Sequence, residues 1–434
     1  MDGMARGSLL AVLSLALTLA PSEASASPQD LFGFGGRTSG LSMTGASYAN
    51  NYEAVFMNPA GLGAVRRRSL SLGALGGNYQ LSINGEASPL TPARGTTIGF
   101  TLPFPFEDVL EDRLTFGGAF YTPAEVILRG RVQYPTRPEW TVLNRAQSLA
   151  VQVGLGFDFH GIVDGLRLGV GVSALAAVLG ELDVGLDETS SFTSTVETQL
   201  VTSFAPIVGV QYQQPEWGVG ITYRHELVSS FELNIRTRDL PVELPVLRVG
   251  GIVSYDPSAL ILEGHWRPIP ELMLVANLST RFWSMYPGAQ IPSSAMSLNA
   301  PAPEYSIVPV PRVAVEGTIH RDHALQFDVR GGYSFELSPS PPARMAQRRT
   351  AGGDPTGDPV AFRTLDNDRH VVTAGLGWTV FLGGEQEAQL AIDAYAQLHL
   401  LAPRTHEVGL TDGAPNMQTD GFIMMGGWTA TLEF

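Results

Sequence analysis

The sequence contains no cysteine and no lysine, and only 16% of its 434 residues are charged. Without cysteine, the chain has no disulfides, no thiolate metal ligands and no thiol nucleophile. All 27 basic residues are therefore arginine, and 42 acidic residues outnumber them. The resulting net charge of −15 argues against nucleic acid as a partner, because binding to phosphates requires a basic surface.

Long apolar runs are also missing, apart from Ser8–Ala20. A helical membrane protein of this size would carry several apolar runs of about 18 residues or more. The run follows Arg6 and precedes an Ala-Ser-Ala site at 24–26, which is the order of a secretory signal peptide. We therefore expect residues 1–26 to be a signal peptide that is cleaved near Ala26.

Beyond residue 66, apolar and polar residues alternate in segment after segment, as in β-strands with one apolar face. The longest alternation is Trp217–Ile235, far longer than the roughly 5–6 residues of a typical strand. The last strand places Trp428, Leu432 and Phe434 on one face, which resembles the C-terminal signal of outer-membrane barrels. Alternation alone also fits a soluble sandwich, but the signal peptide, the strand length and the chain end favour a membrane barrel.

The alternation predicts fourteen strands. They cover residues 67–83, 94–105, 113–130, 145–160, 166–185, 196–213, 217–236, 246–267, 271–286, 312–321, 324–337, 369–382, 387–402 and 420–434. Short and long connections alternate, like the periplasmic turns and outer loops of outer-membrane barrels. We predict an all-β fold in which residues 66–434 form a fourteen-stranded antiparallel transmembrane β-barrel. Asp256-Pro257 interrupts one predicted strand, and residues 27–65 lack periodicity and predict an irregular packed segment.

Several motifs occur in the order found in a known family of transporters. The Gly/Ser-rich stretch 34–49 is followed by Asn58-Pro59-Ala60. Further matches are Ile221-Thr-Tyr-Arg-His-Glu, the apolar strand that closes on Trp283-Ser284, the Ser338-Pro339 loop entry, and Asp366-Asn-Asp-Arg-His. From about residue 31 to the end, the chain therefore resembles the FadL/TodX family of outer-membrane transporters for hydrophobic compounds.

The resemblance implies a barrel whose lumen is plugged by residues 27–65, the N-terminal hatch. It implies that Asn58, Pro59 and Ala60 form the hinge between the hatch and the first strand, with Asn58 hydrogen-bonded to the wall. It also implies an apolar pocket near the N-terminus, for which Phe32 and Phe34 are candidates, although both could simply pack the hatch against the barrel. The loop at 186–195 is short here, whereas the fatty-acid branch of the family has a long helical loop at this place.

Arg224, Arg281 and Arg330 are the candidates for binding a ligand carboxylate. All three lie on the polar faces of their predicted strands, which would face the lumen. A guanidinium is permanently charged and can bind a carboxylate through two hydrogen bonds. Ion pairs that merely fill the lumen are the alternative role, and we expect it for most lumenal charges, with Arg224 the strongest candidate for ligand binding.

The resemblance therefore implies a monomeric transporter of the Gram-negative outer membrane for compounds such as long-chain fatty acids. Ligands would reach a lumenal apolar pocket and leave sideways through the wall. Its other partners would be outer-membrane lipids, lipopolysaccharide and the barrel assembly machinery, which the C-terminal strand contacts. Three alternatives remain open: a channel for aromatic hydrocarbons, a barrel lipid hydrolase, and a structural barrel without transport. No Gly-x-Ser-x-Gly, His-Glu-x-x-His or Walker motif occurs, so we expect no enzyme, cofactor or metal.

Overall fold

Fourteen antiparallel strands close into a barrel in the computed structural model. The structure describes residues 28–88, 90, 92–106, 112–124, 140, 149–186, 192–238, 247–286, 290–291, 305–340, 344–349, 355–362, 365–382, 388–406 and 416–434. The predicted signal peptide lies outside these residues. The wall strands are β1 (Ser69–Ile83), β2 (Ala93–Pro103), β3 (Leu114–Pro123), β4 (Ala150–Asp158), β5 (Leu166–Leu186), β6 (Phe192–Gln213), β7 (Trp217–Arg224), β8 (Ala259–Ile269), β9 (Leu272–Arg281), β10 (Val308–Arg321), β11 (Leu325–Glu336), β12 (Arg369–Leu382), β13 (Ala388–His406) and β14 (Met417–Glu433).

The barrel closes because β1 pairs with β2 on one edge and with β14 on the other. The closing register joins Ser69 to Glu433 and Leu70 to Leu432. Beyond it, Arg68 and Phe434 exchange two backbone hydrogen bonds of 3.2 and 3.0 Å. The prediction of a fourteen-stranded antiparallel barrel is therefore confirmed. We call the end that holds Ser69 and Glu433 the near end and the opposite end the far end.

The two faces of the wall differ as the alternation predicts. Ile221 is 49% exposed on the outer face, whereas its neighbour Thr222 is fully buried on the lumenal face. Other large apolar residues exposed on the outside include Leu70, Leu72, Ile98, Val170, Val219, Leu262, Leu278, Val315, Val372, Leu376, Ile392 and Met424. An apolar exterior around a polar interior is the surface of a transmembrane barrel. No helix among the described residues is long and apolar enough to cross a membrane.

Two predicted strands are divided in the structure, and the predicted strand 271–286 ends at Arg281. The segment 217–236 is not one wall strand, because β7 ends at Arg224. Residues Leu227–Arg238 then pair with Leu247–Asp256 as a hairpin and run parallel to the far half of β5, from Val178 to Gly185. The predicted strand 246–267 is likewise divided between this hairpin and β8.

The division has a physical cause at both breaks. Proline has no N–H for a ladder bond, and Pro257 lies between the end of the hairpin at Asp256 and the start of β8 at Ala259. The short strand β4 begins at Ala150 opposite Leu175, which leaves the far edge of β5 for the hairpin. Below the hairpin, β7 and β8 pair directly, with Arg224 opposite Ala259. The alternating pattern predicts a strand but does not reveal its partner, so it could not separate wall from hairpin.

The segment from Pro28 to Val65, here called the lumenal segment, lies inside the barrel. It contains α1 (Pro28–Phe32), α2 (Gly36–Gly40), α3 (Ala54–Met57) and a 3-10 helix (Pro59–Ala64), and nearly all of its described side chains are buried. Wall glycines make room for the 3-10 helix: a Cβ at Gly169 would collide with the backbone of Pro59 and Ala60, and one at Gly156 with Gly63. The remaining short elements are Glu86–Ala87, a 3-10 turn at Trp283–Met285, Gln290–Ile291, and the hairpin of Arg344–Arg349 with Pro355–Phe362.

Candidate functional site

Asn58 ties the lumenal segment to the wall. Its side-chain amide donates to the carbonyl of Ala46 at 2.7 Å and to the carbonyl of Val210 in β6 at 3.0 Å. Its side-chain oxygen accepts from the N–H of Ala60 at 3.1 Å and so caps the 3-10 helix, whose first residue is Pro59. The motif Asn58-Pro59-Ala60 thus combines a wall contact, a helix start and a close approach to β5 and β6. Its role as a hinge remains a prediction.

Glu263 is a second anchor, which sequence reasoning missed. Its buried carboxylate, on β8, accepts from the N–H of Gly45 at 2.9 Å and from the N–H and hydroxyl of Ser47 at 2.7 and 2.8 Å. The side-chain amide of Asn277 in β9 donates to the same carboxylate at 2.7 Å. A wall carboxylate therefore binds a turn of the lumenal segment that is about 220 positions away in the sequence.

Other wall side chains bind the backbone of the lumenal segment in the same way. Thr373 of β12 donates to Gly40 and accepts from the N–H of Ser42. Gln397 of β13 donates to the carbonyls of Phe32 and Ser39, and Thr429 of β14 accepts from the N–H of Gly36. Together with the contacts of Asn58 and Glu263, these hydrogen bonds join the lumenal segment to β6, β8, β12, β13 and β14.

Arg330 lies in a cluster of carboxylates toward the near end. It binds Glu316 at 2.6 Å and also contacts Asp393 and Asp328. Arg37 of the lumenal segment binds Glu316 at 2.6 Å and lies over the ring of Tyr48. With three carboxylates around it, Arg330 is arranged as an ion-pair centre of the lumen.

Glu53 of the lumenal segment faces this cluster. It is 1% exposed and accepts the N–H groups of Arg37 and Thr38 at the start of α2. Burial raises the pKa of Glu53 to about 8, and the nearby carboxylate of Asp393 adds to the increase. The group is therefore mostly protonated and neutral at pH 7.

Arg281 belongs to a different buried network, toward the far end. Its guanidinium donates to Glu336 at 2.6 Å, and Arg369 binds the other oxygen of Glu336 at 2.8 Å. Arg312 lies nearby and donates to Ser279 at 2.7 Å. The carboxylate of Glu336 thus joins the guanidinium groups of Arg281 and Arg369.

Arg224 is the last residue of β7, and its guanidinium lies over an aromatic ring. The Cζ atom is 4.2 Å from the ring centre of Phe56, within cation–π range. The same side chain lines a small cavity together with Arg281, Arg312 and Glu263. The structure thus brings two of the three predicted arginines, Arg224 and Arg281, to one place, whereas Arg330 lies elsewhere.

Phe32 and Phe34 belong to different apolar clusters. Phe32 packs against Tyr79 and His399, in a cluster that includes Leu81, Trp140 and Ile423 from the far half of the barrel. Phe34 packs against Tyr52 and Phe56 within the lumenal segment. Of the two, Phe32 is thus the one that faces apolar wall residues.

An aromatic cluster toward the far end was also missed from the sequence. Tyr255, Trp283, Tyr286 and Tyr305 are all at most 5% exposed, and their ring centres lie 5.0 to 6.4 Å apart. They pack with apolar residues of several strands, among them Leu175, Ala205, Leu227, Val308 and Val310. In the sequence, Tyr255 lies near Pro257 and Tyr286 precedes Pro287. The sequence alone does not show that these aromatic residues lie close together in the fold.

A polar cavity opens at the near end. It measures about 430 Å³ and is lined by residues such as Arg37, Arg66, Glu316, Asp393 and Glu433. By contrast, the cavity beside Arg224 and Arg281 measures about 10 Å³, and a second one between Arg224 and Leu227 about 20 Å³. Each of the two small cavities holds about one water molecule.

Ser47 and His265 are hydrogen-bonded, as a hydrolase would require. In a hydrolase, however, the histidine nitrogen would accept the proton of the serine hydroxyl, and here it donates one instead. Arg267 donates to Nε2 of His265 at 2.9 Å, so the ring proton is on Nδ1, which donates to Ser47 at 3.1 Å. Ser47 in turn donates to Glu263. His265 therefore cannot accept the serine proton, and the pair is buried in the lumen, away from the lipid-facing edge that such an enzyme would use.

The class of protein follows from these features: a fourteen-stranded transmembrane barrel whose lumen is filled by its own N-terminal segment. No family model matches the sequence, and no curated protein matches it either. Solved structures do. A Pseudomonas aeruginosa FadL homologue is 15% identical, with a TM-score of 0.57 over 95% of this chain and 99% of its own. The Pseudomonas putida toluene transporter TodX is 11% identical, with a TM-score of 0.55 over 93% of this chain and 99% of its own. The chain therefore has the fold of the FadL and TodX structures, which confirms at the level of the fold the resemblance inferred from its motifs.

Proposed function

We propose that this protein is an outer-membrane transporter that takes up hydrophobic compounds carrying a carboxylate, such as long-chain fatty acids. The observation that carries the proposal is the position of Arg224, between buried apolar and aromatic clusters on one side and Arg281 and Arg312 on the other. A ligand with an apolar tail and an anionic head matches this arrangement. The similar structures, a FadL homologue and a toluene transporter, support a hydrophobic ligand in general.

The lumen supports a sideways exit rather than a path straight through the barrel. Toward the near end it is lined by charged groups that already pair with one another, among them Glu316, Arg330 and Asp393. An apolar chain gains nothing from entering such a region, and it would disrupt buried hydrogen bonds there. A ligand bound at the far half would therefore leave through the wall into the membrane.

In this proposal the near end faces the periplasm, residues 1–26 direct export and are removed, and residues 27–65 are the hatch. The two hairpin strands, 227–238 and 247–256, and the far end of the barrel face lipopolysaccharide. The C-terminal strand, which ends at the exposed Phe434, is the part recognised by the assembly machinery. The protein acts as a monomer, because a closed barrel with its own plug needs no second chain to form the path.

The test compares a fatty acid with an uncharged hydrocarbon of similar length, using purified Arg224→Ala. A carboxylate that leaves water needs a charged partner, so the fatty acid should bind more weakly to the variant by about 1.5–3 kcal/mol. The hydrocarbon should bind equally to both proteins. Arg321→Ala, at the near end and exposed, is the control and should change neither affinity.

Three results would change the proposal. Equal binding of the fatty acid by the parent and Arg224→Ala would remove Arg224 from the site. Hydrocarbon binding without fatty-acid binding would favour the second candidate, an aromatic-hydrocarbon channel, which the aromatic cluster around Trp283 and the short connection between Leu186 and Phe192 also fit. Binding of neither ligand would leave a structural barrel.

A further inference from the structure

Three rings form a cluster on the outer face of the barrel, at the far ends of β11 and β12. The hydroxyl of Tyr333 lies 2.7 Å from Nδ1 of His370, and the ring centres of His370 and Phe335 are 4.8 Å apart. His370 and Phe335 are direct partners across the two strands. Tyr333 is 41% exposed, and His370 is exposed as well. We call these three residues the outer cluster.

The outer cluster lies at the edge of the apolar band of the wall. A second pair of rings, Phe327 and Trp378, lies on the same two strands toward the near end, with ring centres 6.0 Å apart. The wall between them exposes Val372 and Leu376. His370 precedes Trp378 by eight positions. At about 3.3 Å per residue and a strand tilt of about 40°, this distance spans about 20 Å of membrane. Since aromatic girdles flank an apolar band of about this height in transmembrane barrels, the outer cluster lies at the level of the lipid headgroups.

His370 brings a hydrogen-bond donor to this level. When the hydroxyl of Tyr333 donates to Nδ1, the ring proton of His370 lies on Nε2. Nε2 forms no hydrogen bond with the part of the chain that the structure describes. The imidazole is thus held between Tyr333 and Phe335, and it can donate to an oxygen atom of a headgroup.

The connection between β11 and β12 is fastened at the rim of the wall, next to the outer cluster. The N–H of Ser338 donates to the carboxylate of Asp368 at 2.8 Å, which joins the two ends of the connection. Arg404 of β13 donates to the hydroxyl of Ser338 at 2.7 Å and to the carbonyl of Ser340 at 2.9 Å. The two sequence motifs at these ends, Ser338-Pro339 and the one that closes on His370, therefore form the base of this connection.

The connection carries arginines close to its base. The strand Arg344–Arg349 holds three arginines among six residues and no acidic residue, in a chain whose net charge is −15. Arg344 follows Ser340 by four positions, and four residues of extended chain reach at most about 14 Å. Arginines bind phosphate groups through paired hydrogen bonds, and basic segments are attracted to anionic lipid surfaces. Basic residues thus lie just beyond the level of the outer cluster.

We propose that this surface binds lipopolysaccharide. The acyl chains lie on the exposed apolar side chains of β10, β12 and β13, among them Val313, Val372 and Leu400. The phosphates on the sugar core accept hydrogen bonds from His370 and from the arginines of the strand 344–349. A lipid with several acyl chains on a phosphorylated sugar core fits both parts of the surface at once. The inference rests on the orientation in the proposed function, in which the far end faces outward.

The test measures lipid binding by native mass spectrometry of the purified protein after bound lipid has been removed. The probes are lipid A with two phosphates, the same lipid without phosphates, and phosphatidylglycerol, whose head carries one phosphate. The parent should bind the phosphorylated lipid A at least about tenfold more tightly than either other probe, because charged hydrogen bonds contribute most of the difference. The triple variant Arg344→Gln, Arg348→Gln, Arg349→Gln should lose at least about tenfold of this affinity. His370→Phe, which keeps a ring but has no donor, should lose at least about threefold, and it serves if the triple variant does not fold.

Matched variants at the near end control for the loss of charge and for the loss of a histidine. The triple variant Arg68→Gln, Arg113→Gln, Arg321→Gln removes the same charge at the near end, and His323→Phe replaces an exposed histidine there. Neither should change the binding of any probe. Folding of each variant is checked by its heat-dependent migration in gels. Fatty-acid binding is measured in parallel and reports on the proposed transport separately.

The outcomes separate the lipid site from the transport function. Equal affinity of the parent for lipid A with and without phosphates would overturn the site, as would unchanged affinity in both far-end variants. Phosphatidylglycerol bound as tightly as phosphorylated lipid A would overturn lipopolysaccharide as the occupant. Loss of lipid A binding in the near-end variants alone would overturn both the site and the orientation on which it rests. A parent that bound phosphorylated lipid A as expected but no fatty acid would overturn the proposed ligand and leave the lipid site.

Discussion

Replacing Glu263 by glutamine tests how the lumenal segment is held in the barrel. One carboxylate oxygen accepts from Gly45 at 2.9 Å and from Asn277 at 2.7 Å; the other accepts from the N–H and hydroxyl of Ser47. In Glu263→Gln, one of these positions becomes an NH2 group that faces donors. A buried donor that loses its acceptor costs about 1–3 kcal/mol, and hydrogen bonds to charged groups contribute about 1.5–3 kcal/mol. We therefore expect the turn at 45–47 to open more readily by about 1.5–3 kcal/mol.

Hydrogen exchange measures this opening directly. Since about 1.4 kcal/mol corresponds to a tenfold change in an equilibrium, protection of the peptide that covers residues 41–49 should fall roughly 10- to 100-fold in the variant. Peptides from β1 and β14 should keep their protection, because the wall ladder is unchanged. Glu271→Gln, in an exposed turn at the near end, is the matched control. Unchanged protection at 41–49 would show that Glu263 does not anchor the segment, and a general loss of protection would show that it stabilises the barrel itself.

Three further changes address the membrane face, the plug and the dependence on pH. Ile221→Arg should destabilise the barrel by about 2–4 kcal/mol in urea titrations in lipid vesicles if this residue lies near the centre of the bilayer. Ala391→Arg faces the 430 Å³ polar cavity and should destabilise the barrel much less. The reverse order would mean that the lipid-facing and lumenal faces are inverted. Deleting residues 29–64 should leave a barrel that assembles and leaks small polar solutes in liposome-swelling assays, and a deletion variant as tight as the parent would refute the plug. The pKa of Glu53 is about 8 in the folded protein and about 4.5 when the chain is unfolded. The stability that Glu53 contributes is therefore fully present below about pH 4.5 and is lost as the pH rises through about 8. Protection of the lumenal segment should follow this fall between pH 5 and 9 in the parent and be flatter in Glu53→Gln; identical profiles would exclude Glu53 as the titrating group.

The two faces of the barrel wall could be predicted because they depend only on the order of residues along each strand. Whether a residue faces lipid or lumen depends on its parity within a strand, and Ile221 and Thr222 show the outcome. The choice of partner strand is not local. Residues 227–238 continue the alternation of β7, yet they pair in parallel with β5 because the far edge of that strand is open. A pattern of period two carries no information about such an edge.

The candidate site could be predicted only in part, for a related reason. Arg224, Arg281 and Arg330 were expected in the lumen from parity, and they lie there. That three carboxylates from β10, β11 and β13 surround Arg330 depends on the register of strands far apart in the sequence. The same holds for Glu263, whose partners Gly45 and Ser47 precede it by more than 200 residues. Only the motif Asn58-Pro59-Ala60, whose residues are adjacent in the sequence, could be recognised as a unit.

The contacts of the lumenal segment also bear on the order in which the barrel assembles. The segment comes first in the chain, but Gln397 and Thr429, which bind its backbone at Phe32, Ser39 and Gly36, lie on the last two strands. These bonds form only when β13 and β14 reach their places and β14 closes on β1. The barrel wall therefore closes at the same stage of folding at which α1 and α2 of the lumenal segment are hydrogen-bonded to it. An unfinished barrel remains open at that seam, and its far-half apolar cluster around Phe32 is complete only after the final strand arrives.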